Sequence, residues 1–197
     1  AREWSEERSL DWELLGNPLH AGIKAMVGDL NRAYKDHPAL WTRDNTPEGF
    51  SWIDANDASG NVLSFLRHGV DAEGNPTVLA CIANFSGGPR DDYRVGLPFT
   101  GRWREVLNTD AEIYGGSGVG NFGVVEAEPQ MWHGRPASAA LRLPPSGVLW
   151  LAPERSVQDE IGAEQAADIG QAAPVASFAP EVVGDTTPAI TAPDSPA

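Results

Sequence analysis

Cysteine is almost absent: Cys81 is the one thiol in 197 residues. A single thiol permits no internal disulfide, so the chain is not a disulfide scaffold, and it fits a reducing compartment. Bases are scarce as well. Against 28 Asp and Glu there are 14 Lys and Arg, which leaves a formal net charge of −14 and a pI near 4.5. A chain this acidic repels phosphate, so no nucleic-acid partner and no anionic membrane partner is expected. Long apolar runs are missing, since nothing approaches the roughly 18 residues that cross a bilayer. The opening residues, 1–12, are acidic and aromatic, the opposite of a signal peptide. These absences predict a soluble, cytoplasmic protein.

A core is nevertheless within reach. The chain has the length of one or two domains at roughly 100–200 residues each. It is 41% hydrophobic with seven Trp and six Phe, which excludes collagen-like and wholly disordered classes. Charge and composition divide it into three. Residues 153–197 hold eight acids against one base, six Pro, ten Ala and a single aromatic, Phe178. That composition cannot bury enough apolar surface to offset chain entropy, so a disordered tail is expected there. A short recognition segment around 175–178 or 181–183 is the alternative.

Near the front, Asn17-Pro18 places an N-cap before a proline at the first helical position. Ile23, Met26, Val27, Leu30, Ala33 and Tyr34 then follow the spacing of one buried helical stripe. His37-Pro38 stops it, because the residue before proline is pushed out of the α region. The spacing predicts a helix over Pro18–Asp36. From residue 50 to 151 the pattern turns to alternation and short apolar runs, at 50–54, 62–67, 77–84, 93–97, 103–108, 139–143 and 148–151. Turn clusters at 57–61, 71–76 and 86–89 separate the earlier runs, which predicts an antiparallel β-sandwich. One helix at the front with no βαβ alternation after it reads as the end of something larger.

Few motifs carry chemistry. Gly118-Val119-Gly120-Asn121-Phe122-Gly123 spells a dinucleotide fingerprint, but that site needs a strand before it and a helix after it. Pro129 interrupts any helix there, so a surface loop is expected. The acids around Asp54–Asp57 lack the sixth-position Gly and twelfth-position Glu of a calcium loop. His20, His37, His68 and His133 share no close spacing with each other or with Cys81, so no metal site is expected. Asn84-Phe85-Ser86 spells a glycosylation acceptor, which matters only in a secreted protein. Five acids among the first 13 residues invite a two-carboxylate glycosidase reading. That chemistry needs two carboxyls about 5–5.5 Å apart across a bond, and a solvated face is the simpler reading. Trp4 and Trp12 are the candidate substrate-binding residues, because flat indoles stack well on the apolar faces of sugars.

Longer strings go further. Glu3-Trp4-Ser5 with Ser9-Leu10-Asp11-Trp12 resembles the segment after the eighth barrel strand in bacterial glycogen branching enzymes of the α-amylase family. The helix carrying Gly22-Ile23-Lys24 and Asp29-Leu30-Asn31 looks like that barrel's last helix. Five later strings are similar to the family's carboxy-terminal β domain: Asn84-Phe85, Pro89 through Gly96, Trp103 through Asp110, Tyr114 through Ser117, and Leu143-Pro144-Pro145. The match runs to about Pro153, and the tail has no counterpart. The resemblance implies a mainly β chain in three parts. Residues 1–38 would be the end of a catalytic (β/α)8 barrel, 39–152 an all-β domain, and 153–197 the acidic tail.

It also implies a retaining transglycosylase that cuts α-1,4-glucan, holds the chain on an aspartate and passes it to a glucose 6-hydroxyl. No cofactor is implied. The partners implied are α-glucan (glycogen or amylose), through the parent enzyme, and the remainder of the barrel. No residue of this chain matches the family's nucleophile, acid/base or stabilising aspartate, so no catalytic residue is expected here. The piece would stabilise the barrel and aid glucan binding. The alternative is a free-standing carbohydrate-binding or structural β-sandwich module; the missing initiator Met favours the fragment.

Five large side chains of the helix stripe, fully buried, are worth on the order of 7–15 kcal/mol of transfer free energy. In the isolated chain the barrel wall that would bury them is missing. Hydrogen exchange should therefore show amides of 18–36 exchanging well before those of 62–67 and 77–84. A strict monomer that protects both equally would show that the stripe has its partner within the chain.

Overall fold

A computed structural model describes residues 5–154. Trp4 and the expected acidic tail beyond Glu154 lie outside the described residues. The helix α1 spans Pro18–Asp36, the bounds that the spacing predicts. The Asn17 side chain accepts from the Leu19 amide at 3.0 Å, and Pro18 occupies the first turn. At the far end the His37 amide still reaches the Ala33 carbonyl, and Pro38 ends the helix.

Eight strands follow among the described residues: β1 Phe50–Asp57, β2 Val62–Val70, β3 Pro76–Asn84, β4 Arg90–Leu97, β5 Gly101–Asn108, β6 Val124–Ala127, β7 Ala137–Leu143 and β8 Gly147–Pro153. Six of them form one sheet in the order β1-β2-β3-β8-β5-β6, and β4 pairs with β7. Every pairing is antiparallel. All seven runs read from the sequence lie inside strands. β6 was not anticipated: it is four residues long, and its pairing with β5 is made across a 15-residue connection.

The core lies between the two sheets. Leu66, Ile82, Leu149 and Leu151 of the large sheet meet Val95, Leu97, Ala139 and Leu141 of the small one. Trp103 is fully buried among them. Its ring stacks on Phe99 at 5.0 Å, and its indole N–H donates to the Phe99 carbonyl at 3.3 Å, so its polar atom is satisfied. Cys81 faces the other way, in the row Phe65, Cys81, Trp150 across β2, β3 and β8. Burial pushes its thiol pKa up to about 12, so it is an inert packing residue.

That outer face of the large sheet is covered only in part. The turn after α1 lays Ala39 and Leu40 on Leu79, Val106 and Trp150. Gly69 makes this approach possible, because a side chain there would run into Pro38, Ala39 and Thr42. Thr42 Oγ1 accepts from the Val70 amide at 2.9 Å. Arg67 ties the same connection down by donating to the Gly49 carbonyl at 3.2 Å and pairing with Asp44 at 2.5 Å.

α1 docks through its small and polar side. Gly22 and Ala33 are its buried residues, and Asp29 accepts the Tyr114 hydroxyl at 2.7 Å. That hydrogen bond holds the Asp29 carboxyl below the usual range. The large apolar side is left open: Leu19, Ile23, Val27 and Tyr34 are all exposed, Ile23 to 55%. Of the predicted stripe, Ile23, Val27 and Tyr34 are exposed, Met26 and Leu30 half-buried and Ala33 buried.

Two glycines of α1 separate docking from helix propensity. A Cβ on Gly22 would strike the Tyr114 carbonyl, whereas nothing lies within 4 Å of one on Gly28. Gly28→Ala should raise stability by up to about 1 kcal/mol. Gly22→Ala gains the same propensity but forces the helix off its turn, and should lose about 1–3 kcal/mol net. Urea unfolding midpoints of the two variants should move in opposite directions.

Candidate functional site

The uncovered half of the outer face carries a cluster of aromatics. β1 pairs with β2 so that Trp52 lies opposite Phe65 and Phe50 opposite Arg67, which puts the three rings on one face. Phe50 and Trp52 meet edge to face at 4.9 Å, Phe50 and Phe65 at 5.2 Å, and Trp52 and Phe65 at 6.1 Å. Strand alternation turns Ile53 into the core while the indole stays outside, and a register shift follows directly after Trp52. Trp52 is 51% exposed and Phe50 38%. Rings locked against one another and half open to solvent form a rigid apolar platform, which costs little entropy to bind against.

Beneath the platform lies a polar cluster. Ser51 Oγ and His68 Nε2 are 2.8 Å apart, the spacing of a nucleophile and its base. Arg135 donates to Ser51 Oγ at 3.1 Å and to the Trp52 carbonyl at 2.9 Å. Burial, with the charges of Arg135, Arg43 and Arg67, depresses His68 to a pKa of about 4. A triad base needs a neighbouring carboxylate to stabilise its imidazolium, and here three guanidiniums oppose it. The cluster is therefore structural: it pins the 128–135 hairpin to β1 and holds the backbone of Trp52.

The other sequence candidates resolve plainly. Trp12 opens a short 3-10 turn, Trp12–Gly16, and is 61% exposed. It makes no ring contact with the Phe50, Trp52 and Phe65 cluster. Asp57 closes the β1–β2 connection, accepting from the Gly60 amide at 2.6 Å and the Tyr93 hydroxyl at 3.0 Å. No group of three metal-ligating side chains occurs among the described residues. Asn84 is buried and its amide nitrogen donates to the Gly88 and Pro144 carbonyls at 3.0 and 2.8 Å, so it cannot act as a glycosylation acceptor.

The glycine run is a loop between Tyr114 and β6 with no helix after it. Asp110 organises it by accepting from Ser117 and Val119. Burial alone would raise the Asp110 pKa, but these hydrogen bonds hold it below the usual range. No helix among the described residues is long and apolar enough to cross a membrane. Sequence reasoning missed the Phe50, Trp52 and Phe65 platform; the signal available was aromatic residues recurring at i and i+2 in an edge strand.

His68 gives the cluster a pH signature. Unfolded, the imidazole titrates near 6.5; folded, it titrates near 4. As pH falls the unfolded chain takes up this proton first. The group's contribution to stability is complete above about pH 6.5 and is lost between there and pH 4. That loss should be on the order of 2–3 kcal/mol. Urea unfolding at pH 7 and pH 4.5 should show a smaller difference for His68→Gln than for the unaltered chain.

Residues 52–154 match the family described as alpha amylase, C-terminal all-beta domain. The chain is 62% identical over 152 residues to the 1,4-alpha-glucan branching enzyme GlgB of Mycobacterium ulcerans, covering 77% of this chain and 20% of that protein. Identity to the GlgB of Rhodococcus jostii is 59% over 157 residues, 78% of this chain and 21% of that one. To the GlgB of Mycobacterium tuberculosis strain H37Rv it is 60% over 152 residues, 77% and 20%. The chain thus spans about a fifth of the length of these curated relatives. The matched span takes in β1 from its exposed indole through β8, both sheets and the core between them, and the chain belongs to the alpha amylase C-terminal all-beta domain family.

Proposed function

We propose that this chain is the carboxy-terminal part of a 1,4-α-glucan branching enzyme of the cytoplasm. The parent cuts α-1,4-glucan and transfers the chain to a 6-hydroxyl, forming the α-1,6 branches of glycogen. The observation that carries this reading is 59–62% identity with proteins named 1,4-alpha-glucan branching enzyme. Residues 1–38 are the end of the catalytic barrel, and 39–152 form the accessory β domain. The open side of α1 supports this division, since Leu19, Ile23, Val27 and Tyr34 are what a barrel wall would cover. The nucleophile and acid/base belong to barrel strands outside this chain, and the reaction uses no cofactor.

Within the chain, Trp4 and Trp12 belong to a loop at the barrel's active-site face and help shape the glucan cleft. The Phe50, Trp52 and Phe65 platform is a separate contact for glucan. Its rings are uncharged and rigid, and a neutral polysaccharide meets no repulsion from a chain of net charge −14.

Two measurements test this. The chain alone, incubated with amylose, should form no α-1,6 branches by debranching and chain-length analysis, whereas a barrel-bearing relative carrying this chain in place of its own carboxy-terminal part should. Branching by the chain alone would overturn the reading. In affinity electrophoresis on amylose, Trp52→Ala should weaken retention about threefold to tenfold with the fold intact. In the chimaera, Trp4→Ala and Trp12→Ala should slow branching more than they lower stability; loss of both in step would make them core residues.

A further inference from the structure

The turn that carries Trp12 runs directly into α1, and Asn17 is the one residue between them. Asn17 serves both. Its amide donates to the Leu14 carbonyl at 2.9 Å and closes the turn. Its side chain caps α1 at the Leu19 amide, and its carbonyl accepts from the Ala21 amide at 3.0 Å. Turn and helix are joined through one residue, so wherever α1 is seated the Trp12 turn follows.

The seat of α1 is set by the short 3-10 turn Glu112–Tyr114. Gly22, Asp29 and Ala33 are spaced i, i+7 and i+11, which puts them on one line, with Gly22 and Asp29 about 10 Å apart along the axis. Tyr114 spans that distance: its backbone lies against Gly22, and its hydroxyl donates to Asp29 Oδ2 at 2.7 Å. Two grips by one residue fix both the height of the helix and its rotation. Among the described residues, no other side chain of α1 hydrogen-bonds outside the helix, and Arg32 pairs with Asp29 from within it.

The grip has firm footing. The Ala111 carbonyl accepts from the Tyr114 and Gly116 amides at 2.9 and 3.2 Å, and Thr109 exchanges hydrogen bonds with Val148 of β8 at 3.1 and 2.9 Å. Burial, with the Asp29 carboxylate beside it, pushes the Tyr114 phenol up to about 12, so it keeps its proton and donates. Tyr114 and Asp29 are both half-buried, and water would satisfy either one alone. Their bond therefore selects one seat for the helix more than it adds stability.

We propose that Tyr114 is a positioning residue for branching: by holding Asp29 it seats α1, and through Asn17 it places the Trp12 turn at the glucan cleft. What the Trp12 turn does rests on the branching reading above; the clamp rests on contacts within this chain.

Residue-resolved hydrogen exchange and kinetics test the two halves separately. In the 197-residue chain, Tyr114→Phe should speed exchange of the Leu14, Asn17 and 22–36 amides about threefold to tenfold and leave 62–70 and 76–84 unchanged. Asp29→Ala should do the same, although Ala is the better helix former, whereas Asp29→Asn keeps an acceptor and should restore most of the protection. Unchanged exchange in Tyr114→Phe, or slower exchange in Asp29→Ala, would overturn the clamp. A looser helix with unchanged Leu14 and Asn17 would overturn its reach to the Trp12 turn. In the chimaera, Tyr114→Phe should raise KM for amylose about threefold with kcat nearly kept, a change that loss of folded enzyme cannot produce. Added to Trp12→Ala it should have little further effect, and full additivity would overturn action through Trp12. An unaltered chimaera that forms no branches would overturn the branching reading, and exchange alone would then decide the clamp.

Discussion

A six-stranded sheet has two apolar faces, and the described residues supply one complete partner to cover them. The inner face is closed by β4 and β7, which bring Val95, Leu97, Ala139 and Leu141 onto it. Among the described residues, the outer face receives only α1 and the turn after it. That turn reaches Leu79, Val106 and Trp150 and stops at Arg67, whose guanidinium is tied to Gly49 and Asp44. On one side of this boundary Trp150 is packed; on the other, Trp52 and Phe50 are exposed and Phe65 is half-buried. The platform is a product of this incomplete coverage, left beyond the turn.

The helix shows the same economy. A surface helix ordinarily packs its large apolar residues and exposes its small and polar ones. α1 does the reverse, docking through Gly22, Ala33 and the Asp29 carboxylate while Ile23 and Val27 face outward. Docking through a glycine allows the close backbone approach to Tyr114 that fixes the helix while Ile23, Val27 and Tyr34 of its stripe stay exposed. A helix built this way is placed by one neighbour and reserved for another. On the reading proposed above, it is the joint between barrel and β domain.

Much of this was legible in the residues, and the rest was not for identifiable reasons. Asn17-Pro18 and His37-Pro38 are local signals, so both ends of α1 could be read off directly. Seven strands showed themselves by alternation between turn clusters. β6 did not, because Val124–Ala127 is held by pairing with Gly101–Arg104 rather than by its own pattern. The platform was hidden for a different reason. Alternation tells which residues share a face, but whether that face is covered depends on where a distant turn lands. Trp52 and Trp150 share the outer face, yet Trp150 packs against Ala39, Leu40 and Leu79 while Trp52 is 51% exposed. The difference is set by Arg67, Gly69 and the 38–49 connection, which no local spacing encodes.

The Ser51 and His68 pair shows why proximity alone does not make chemistry. The two atoms are within hydrogen-bond reach, but burial, reinforced by the surrounding guanidiniums, disfavours the charged ring. What the cluster does well is hold the backbone under the platform, since Arg135 reaches both Ser51 and the Trp52 carbonyl. On the reading proposed above, the domain would serve the parent transglycosylase by holding its substrate. A glucan chain held on the same polypeptide as the active site meets it at an effective concentration on the order of millimolar, whatever the bulk concentration. Each contact can then be weak and quickly released. A few rings left half in solvent suit that role better than a deep pocket, because a polymer must slide off as readily as it lands.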